Sequence, residues 1–122
     1  MGLSRIVLRL ARNPGTEFAE GDDHRGYALV APLTPDGRLD EAAFREQRAA
    51  CVVRRFAPEE DAVEGRLVRR RDRWFFDYGD LADVEEPGYR LGEHRFAVGE
   101  YVSISDETGR LLTYKVTDLL AA

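Results

Sequence analysis

Tyr101-Val102-Ser103-Ile104-Ser105-Asp106-Glu107-Thr108-Gly109-Arg110-Leu111-Leu112-Thr113-Tyr114-Lys115-Val116 is the stretch whose reading decides the fold class. Val102 and Ile104, with Val98 ahead of them, alternate with polar residues up to Asp106, and Leu112, Tyr114 and Val116 alternate on the way back. A period of two belongs to a strand with one face buried, and Asp106 to Gly109 supplies turn residues between the two runs. The stretch predicts a β-hairpin.

The same signals recur upstream. Ile6, Leu8 and Leu10 alternate within Ser4 to Arg12, which predicts a half-buried strand stopped by Asn13-Pro14-Gly15. Thr16 to Arg25, with four acids and Gly21, reads as a solvated loop. Tyr27 to Leu33 carries apolar residues at both parities and predicts a central strand ended by Pro35-Asp36-Gly37. Cys51 to Phe56 has strand composition, Pro58 to Asp61 reads as a loop, and the β pattern resumes at Val63. Leu67-Val68, the turn Arg71-Asp72-Arg73 and Trp74 to Tyr78 predict another hairpin. Gly79 to Gly88 is a second acidic loop.

One segment departs from this pattern. Asp40 can cap a short helix over residues 41–50, whose Leu39, Ala43, Phe44 and Gln47 fall on one side. Six to eight short strands with one small helix predict a mainly β fold, a small antiparallel and partly open barrel. A two-sheet β-sandwich is the alternative. The 122 residues read as one β-rich domain, 1–122, without repeat or linker.

Composition bounds function. Lys115 is the sole lysine beside 17 arginines, a bias that suggests a GC-rich bacterial genome and raises the arginine background everywhere. The net charge of −5 opposes non-specific attraction to nucleic acid or anionic membrane. With no signal-like or membrane-spanning apolar run, and with Cys51 as the only cysteine, a cytoplasmic location and no membrane partner are expected.

Phe96 to Ile104, with its Gly99-Glu100 step and the turn that follows, resembles the opening of SH3-like and related small barrels, in which a glycine lets the sheet curl. Arg73 to Tyr78 ahead of Gly99 to Ile104 also resembles small bacterial proteins to which no activity is attached. The resemblance implies a barrel and does not choose a function.

Arg66, Arg69, Arg70, Arg71 and Arg73 lie beside Trp74, Phe75, Phe76 and Tyr78. Guanidinium forks bind phosphates and carboxylates, and aromatic faces stack bases. If Trp74, Phe76 and Tyr78 face the core, only Phe75 shares the outer face with Arg73 and Asp77. The tip can equally receive an acidic protein segment.

Asp77, Asp80, Asp83, Glu85 and Glu86 offer oxygen donors but lack the spacing of a calcium loop. His24, His94 and Cys51 are too few for zinc, and no phosphate-cradling glycine loop or nucleophile elbow is present, so no cofactor, metal or catalytic residue is expected. His24 reads as a polar-loop residue and His94 as one starting a strand. The leading expectation is a non-enzymatic domain that binds another protein. One alternative is RNA or single-stranded nucleic-acid binding through the Arg66 to Arg73 tip with Phe75. The other is a small-molecule binder or enzyme using Tyr101, Tyr114 or His94 at the barrel mouth. Oligomeric state is not encoded in any signal found.

Overall fold

The computed structural model describes residues 2–71, 73–79, 86–87, 91–105 and 109–122, with Glu86 and Pro87 described by backbone alone. Its strands are β1 (Ser4–Leu10), β2 (Asp22–Ala31), β3 (Val52–Ala57), β4 (Glu60–Arg70), β5 (Arg73–Asp77), β6 (Glu86–Pro87), β7 (Tyr101–Ser105) and β8 (Leu111–Ala121). They form one antiparallel sheet in the order β6-β5-β4-β3-β2-β1-β8-β7. Every neighbour is a sequence neighbour except β8, which returns to pair with β1. The sheet therefore curls until its outer strands β6 and β7 come close, leaving an open seam. A 3-10 turn, Leu91–Glu93, touches both β5 and β7 across it. This is the partly open barrel expected from the alternation, not a two-sheet sandwich.

Alternation fills the interior. Ile6, Leu8, Tyr27, Leu29, Val53, Leu67, Phe76, Val102, Ile104, Leu112, Tyr114 and Val116 belong to one buried cluster. The Tyr27 ring lies 5.2 Å from the rings of both Phe76 and Tyr114, so three strands on different sides of the barrel meet at its centre. Each such buried side chain contributes roughly 1.5–3 kcal/mol relative to exposure. Among the described residues, no helix is long and apolar enough to cross a membrane.

β1 and β2 approach so closely that one position admits no side chain. A Cβ on Gly26 would fall 1.8 Å from the Leu8 carbonyl oxygen. Next to it the register slips, Arg9 pairing with Gly26 but Leu10 with Asp22, so Asp23, His24 and Arg25 bulge out.

The helix α1 (Glu41–Glu46) stands over one end of the barrel. Asp40 Oδ1 accepts from the Ala43 amide at 3.1 Å, and Phe44 packs edge-on against Trp74 with ring centres 4.9 Å apart. α1 is shorter than expected. At Gln47 (φ −130) the chain leaves the helix, and Arg48–Ala50 continue as a 3-10 turn before β3.

Other boundaries also move. Asp22 to Arg25, expected in a loop, open β2, so His24 is an exposed strand residue. Glu60 and Asp61, likewise expected in a loop, open β4, because Pro58 and Glu59 alone make the turn and the backbone ladder continues beyond the apolar residues. Val98 is 64% exposed in a turn ahead of β7 instead of taking a core position. His94 follows the 3-10 turn and does not start a strand.

Candidate functional site

The β4–β5 register sorts the arginine hairpin into two faces. Arg66 lies opposite Asp77, Val68 opposite Phe75 and Arg70 opposite Arg73, all on the outside. Leu67 opposite Phe76 and Arg69 opposite Trp74 face the other way. Arg66, Arg70, Arg73 and Phe75 therefore share an outer surface, with Phe75 partly buried and Arg70 Nη2 3.7 Å from Asp77 Oδ2. Arg69 turns to the barrel end, and Arg71 stands at the hairpin tip. Asp72 lies outside the described residues.

Arg69 and Arg71 meet a second set of arginines there. Glu41, Phe44, Arg45, Arg48, Arg69 and Arg71 line a hollow of about 160 Å³ between α1 and the hairpin tip. Trp74 underlies it: the Arg69 guanidinium sits 5.0 Å from the Trp74 ring centre, a contact worth roughly 0.5–2 kcal/mol. The segment carrying Arg48 is fixed by Leu67 N donating to Cys51 O at 2.9 Å and Arg66 Nη1 donating to Ala49 O at 3.4 Å.

Four guanidiniums in this hollow face one carboxylate. Glu41 Oε1 lies 2.6 Å from Arg45 Nη2, an i,i+4 pair on α1, and 3.3 Å from Arg69 Nε. The Arg69 Nε–H is buried, yet it is aligned on no acceptor among the described residues. The guanidiniums of Arg48 and Arg71 have no hydrogen-bond or ion-pair partner among the described residues. Arginine stays protonated at any ordinary pH, so among the described residues the hollow sets four positive charges against one negative, on a chain of net −5.

The tip conformation is unusual. Arg71 is the only non-glycine residue at positive φ (59°) among the described residues. An L side chain in the left-handed region costs energy that glycine does not, of order 1–3 kcal/mol.

A larger recess, about 470 Å³, opens on the outer face of β1, β8 and β7, lined by Arg9, Arg12, Glu20, Asp23, Tyr101 and Lys115 among others. Its acids and bases oppose one another. Arg9 is already committed, 2.6 Å from Asp118 Oδ2 and bonded to the Thr117 hydroxyl. The first of these contacts, with help from Thr117, holds the Asp118 carboxyl below the usual carboxylate range.

The barrel-mouth residues are not gathered into one site. Tyr114 is buried inside the barrel, whereas Tyr101 is 56% exposed on its outside. His94 lies past the seam-bridging turn, its Nε2 buried and without a hydrogen-bond partner among the described residues. Cys51 is fully buried, its Sγ donating to Gln47 O at 3.4 Å, and burial pushes its thiol pKa up. Of the acidic run, Asp77 accepts from the Gly79 amide at 2.8 Å; Asp80, Asp83 and Glu85 lie outside the described residues, as does the side chain of Glu86. No group of three or more metal-donor side chains forms among the described residues.

Sequence reading found Arg69 and Arg71 but missed Arg45, Arg48 and Glu41. Their spacing carried a signal: residues 41, 45 and 48 recur at helical intervals beside Phe44, which lies three residues after Glu41 and four before Arg48. What local pattern could not reveal is that this charged stripe lies beside the tip of a hairpin twenty residues onward. No protein-family model, curated protein or solved structure matches this chain.

Proposed function

We propose that this protein is a binding module for an acidic segment of another protein, and that the contact is made by the arginine-lined end of the barrel. The observation that carries the reading is the convergence of Arg45, Arg48, Arg69 and Arg71 from two sequence-distant segments on one hollow that holds a single carboxylate among the described residues. Paired guanidinium donors recognise carboxylates in fixed geometry, and a low-dielectric floor strengthens each contact.

A single-stranded nucleic-acid partner is bound largely by stacking its bases on open aromatic faces. Trp74, the aromatic residue under the arginines, is 4% exposed, and Phe75 is partly buried on a different face. The hollow is also smaller than the roughly 300–1,000 Å³ of sites for drug-sized ligands, so an extended acidic chain laying one side chain at a time into it is the better fit.

Trp74 is the sole tryptophan and reports directly on Arg69. Titration with polyglutamate is expected to change its fluorescence, with affinity falling as salt rises, and Arg48→Glu is expected to abolish the change while leaving the circular dichroism spectrum intact. Absence of binding, or preferential binding of polyuridylate under the same conditions, overturns the proposal.

A further inference from the structure

Resting on that reading, we infer that the arginine hollow is a seat for a phosphomonoester on the partner segment, with Glu41 as its resident counter-ion. Four guanidiniums around a space of about 160 Å³ outnumber what one carboxylate can serve. Glu41 presents the same oxygen, Oε1, to both Arg45 and Arg69. Among the described residues, the guanidiniums of Arg48 and Arg71 are left without a partner and the buried Arg69 Nε–H without an aligned acceptor.

A second carboxylate would bring one negative charge and two oxygens in a plane. A phosphomonoester brings about −1.5 to −2 charges and three acceptor oxygens in a tetrahedron, which suits donors arriving from α1 on one side and from the hairpin on the other. The volume of about 160 Å³ admits a phosphoryl group. Glu41 then has a defined role in the empty site. It keeps Arg45 and Arg69 in place by pairing with them, and it yields them to a stronger anion.

Arg71 fits this account. A hairpin tip is the position where glycine is cheapest, yet an arginine is held there at φ 59°. Strain of this sort persists where the side chain has a use.

The experiment compares three short glutamate–glycine peptides, identical but for a central phosphoserine, glutamate or serine, against the full chain by isothermal titration. The phosphoserine peptide is expected to bind at least tenfold more tightly than the glutamate peptide. Arg48→Ala and Arg71→Gly are each expected to remove that preference, and Arg71→Gly to do so with a melting temperature equal to or above that of the parent. Glu41→Gln is expected to tighten the phosphoserine peptide several-fold, which a merely structural glutamate would not do.

Equal affinity for the phosphoserine and glutamate peptides overturns the phosphate seat and leaves the acidic-segment reading standing. Failure of all three peptides to bind overturns both. Displacement of the phosphopeptide by polyuridylate at lower concentration than by inorganic phosphate also overturns both, because it assigns the arginines to a nucleic-acid backbone.

Discussion

Asn13 stands in for a strand residue opposite Thr113, 100 positions away in the chain: its Oδ1 accepts from the Thr113 amide at 2.9 Å and its Nδ2 donates to the Thr113 carbonyl at 3.1 Å. A third bond, from Nδ2 to the Ala11 carbonyl at 2.8 Å, ties the same amide to the chain just beyond β1. The side chain thus prolongs the β1–β8 ladder past the point where the backbone turns away. It is the only asparagine in the sequence and is 8% exposed. Asn13→Ala leaves buried backbone groups unpaired and is expected to cost about 1–3 kcal/mol, read as a lower urea midpoint with an unchanged slope. Asn13→Asp is expected to cost more, since a carboxylate cannot donate to either carbonyl.

Gly26 is expected to be the least replaceable glycine. The clash of its added Cβ is with the Leu8 carbonyl, which belongs to a strand held on both sides and cannot yield. Gly26→Ala is expected to destabilise by more than about 4 kcal/mol or to prevent folding, whereas Gly2→Ala, where a Cβ meets open space and φ is unexceptional, stays within about 0.5 kcal/mol. Thermal melts of the two variants check the contrast.

Cys51 is expected to be inert in the native state. Its thiol is buried and its pKa is raised by desolvation, so little thiolate forms and none is accessible. An aromatic disulfide reagent at pH 8 is expected to react slowly, at a rate set by unfolding, and rapidly in denaturant. Fast stoichiometric reaction of the folded protein contradicts the placement.

Asp118 is expected to titrate below an ordinary aspartate, because Arg9 and Thr117 hydrogen-bond its charged form. Its folded pKa is depressed, so its stabilising effect is present above the unfolded value and fades as pH falls through the folded one. Carboxyl NMR should show a low midpoint that returns toward normal in Arg9→Ala.

Much of the fold was legible because burial is single-faced. Val102 and Ile104, Leu112 to Val116, and Ile6 to Leu10 place apolar residues at every second position, and the structure buries those residues. The misread segments are those where backbone pairing, not side-chain burial, makes the strand. Glu60 and Asp61 extend β4 because the two-residue turn at Pro58-Glu59 hands the chain straight back to β3. Asp22 to Arg25 extend β2 through a bulge that no apolar residue marks.

Val98 erred the other way, a β-branched residue in phase with Val102 that the turn before β7 leaves in solvent. The site was half legible for a related reason. Local sequence showed arginines at a hairpin tip and put Arg73 and Phe75 on one face by strand parity; the β4–β5 register adds Arg66 and Arg70 to that face and turns Arg69 away. The approach of Arg45 and Arg48 depends on Phe44 docking on Trp74, a tertiary contact without a local signature.

The pairing of β1 with β8 also sets a schedule for folding. β3 to β5 can zip together through short turns as they emerge from the ribosome, and β2 joins them across the connection that holds α1, but β1 must keep one edge open until a strand about a hundred residues later arrives. Closing so long a loop costs about 4 kcal/mol of chain entropy before any contact repays it. During synthesis the nascent chain is therefore expected to display an unpaired edge of β1 backbone, and its most aggregation-prone interval to last until β8 has emerged.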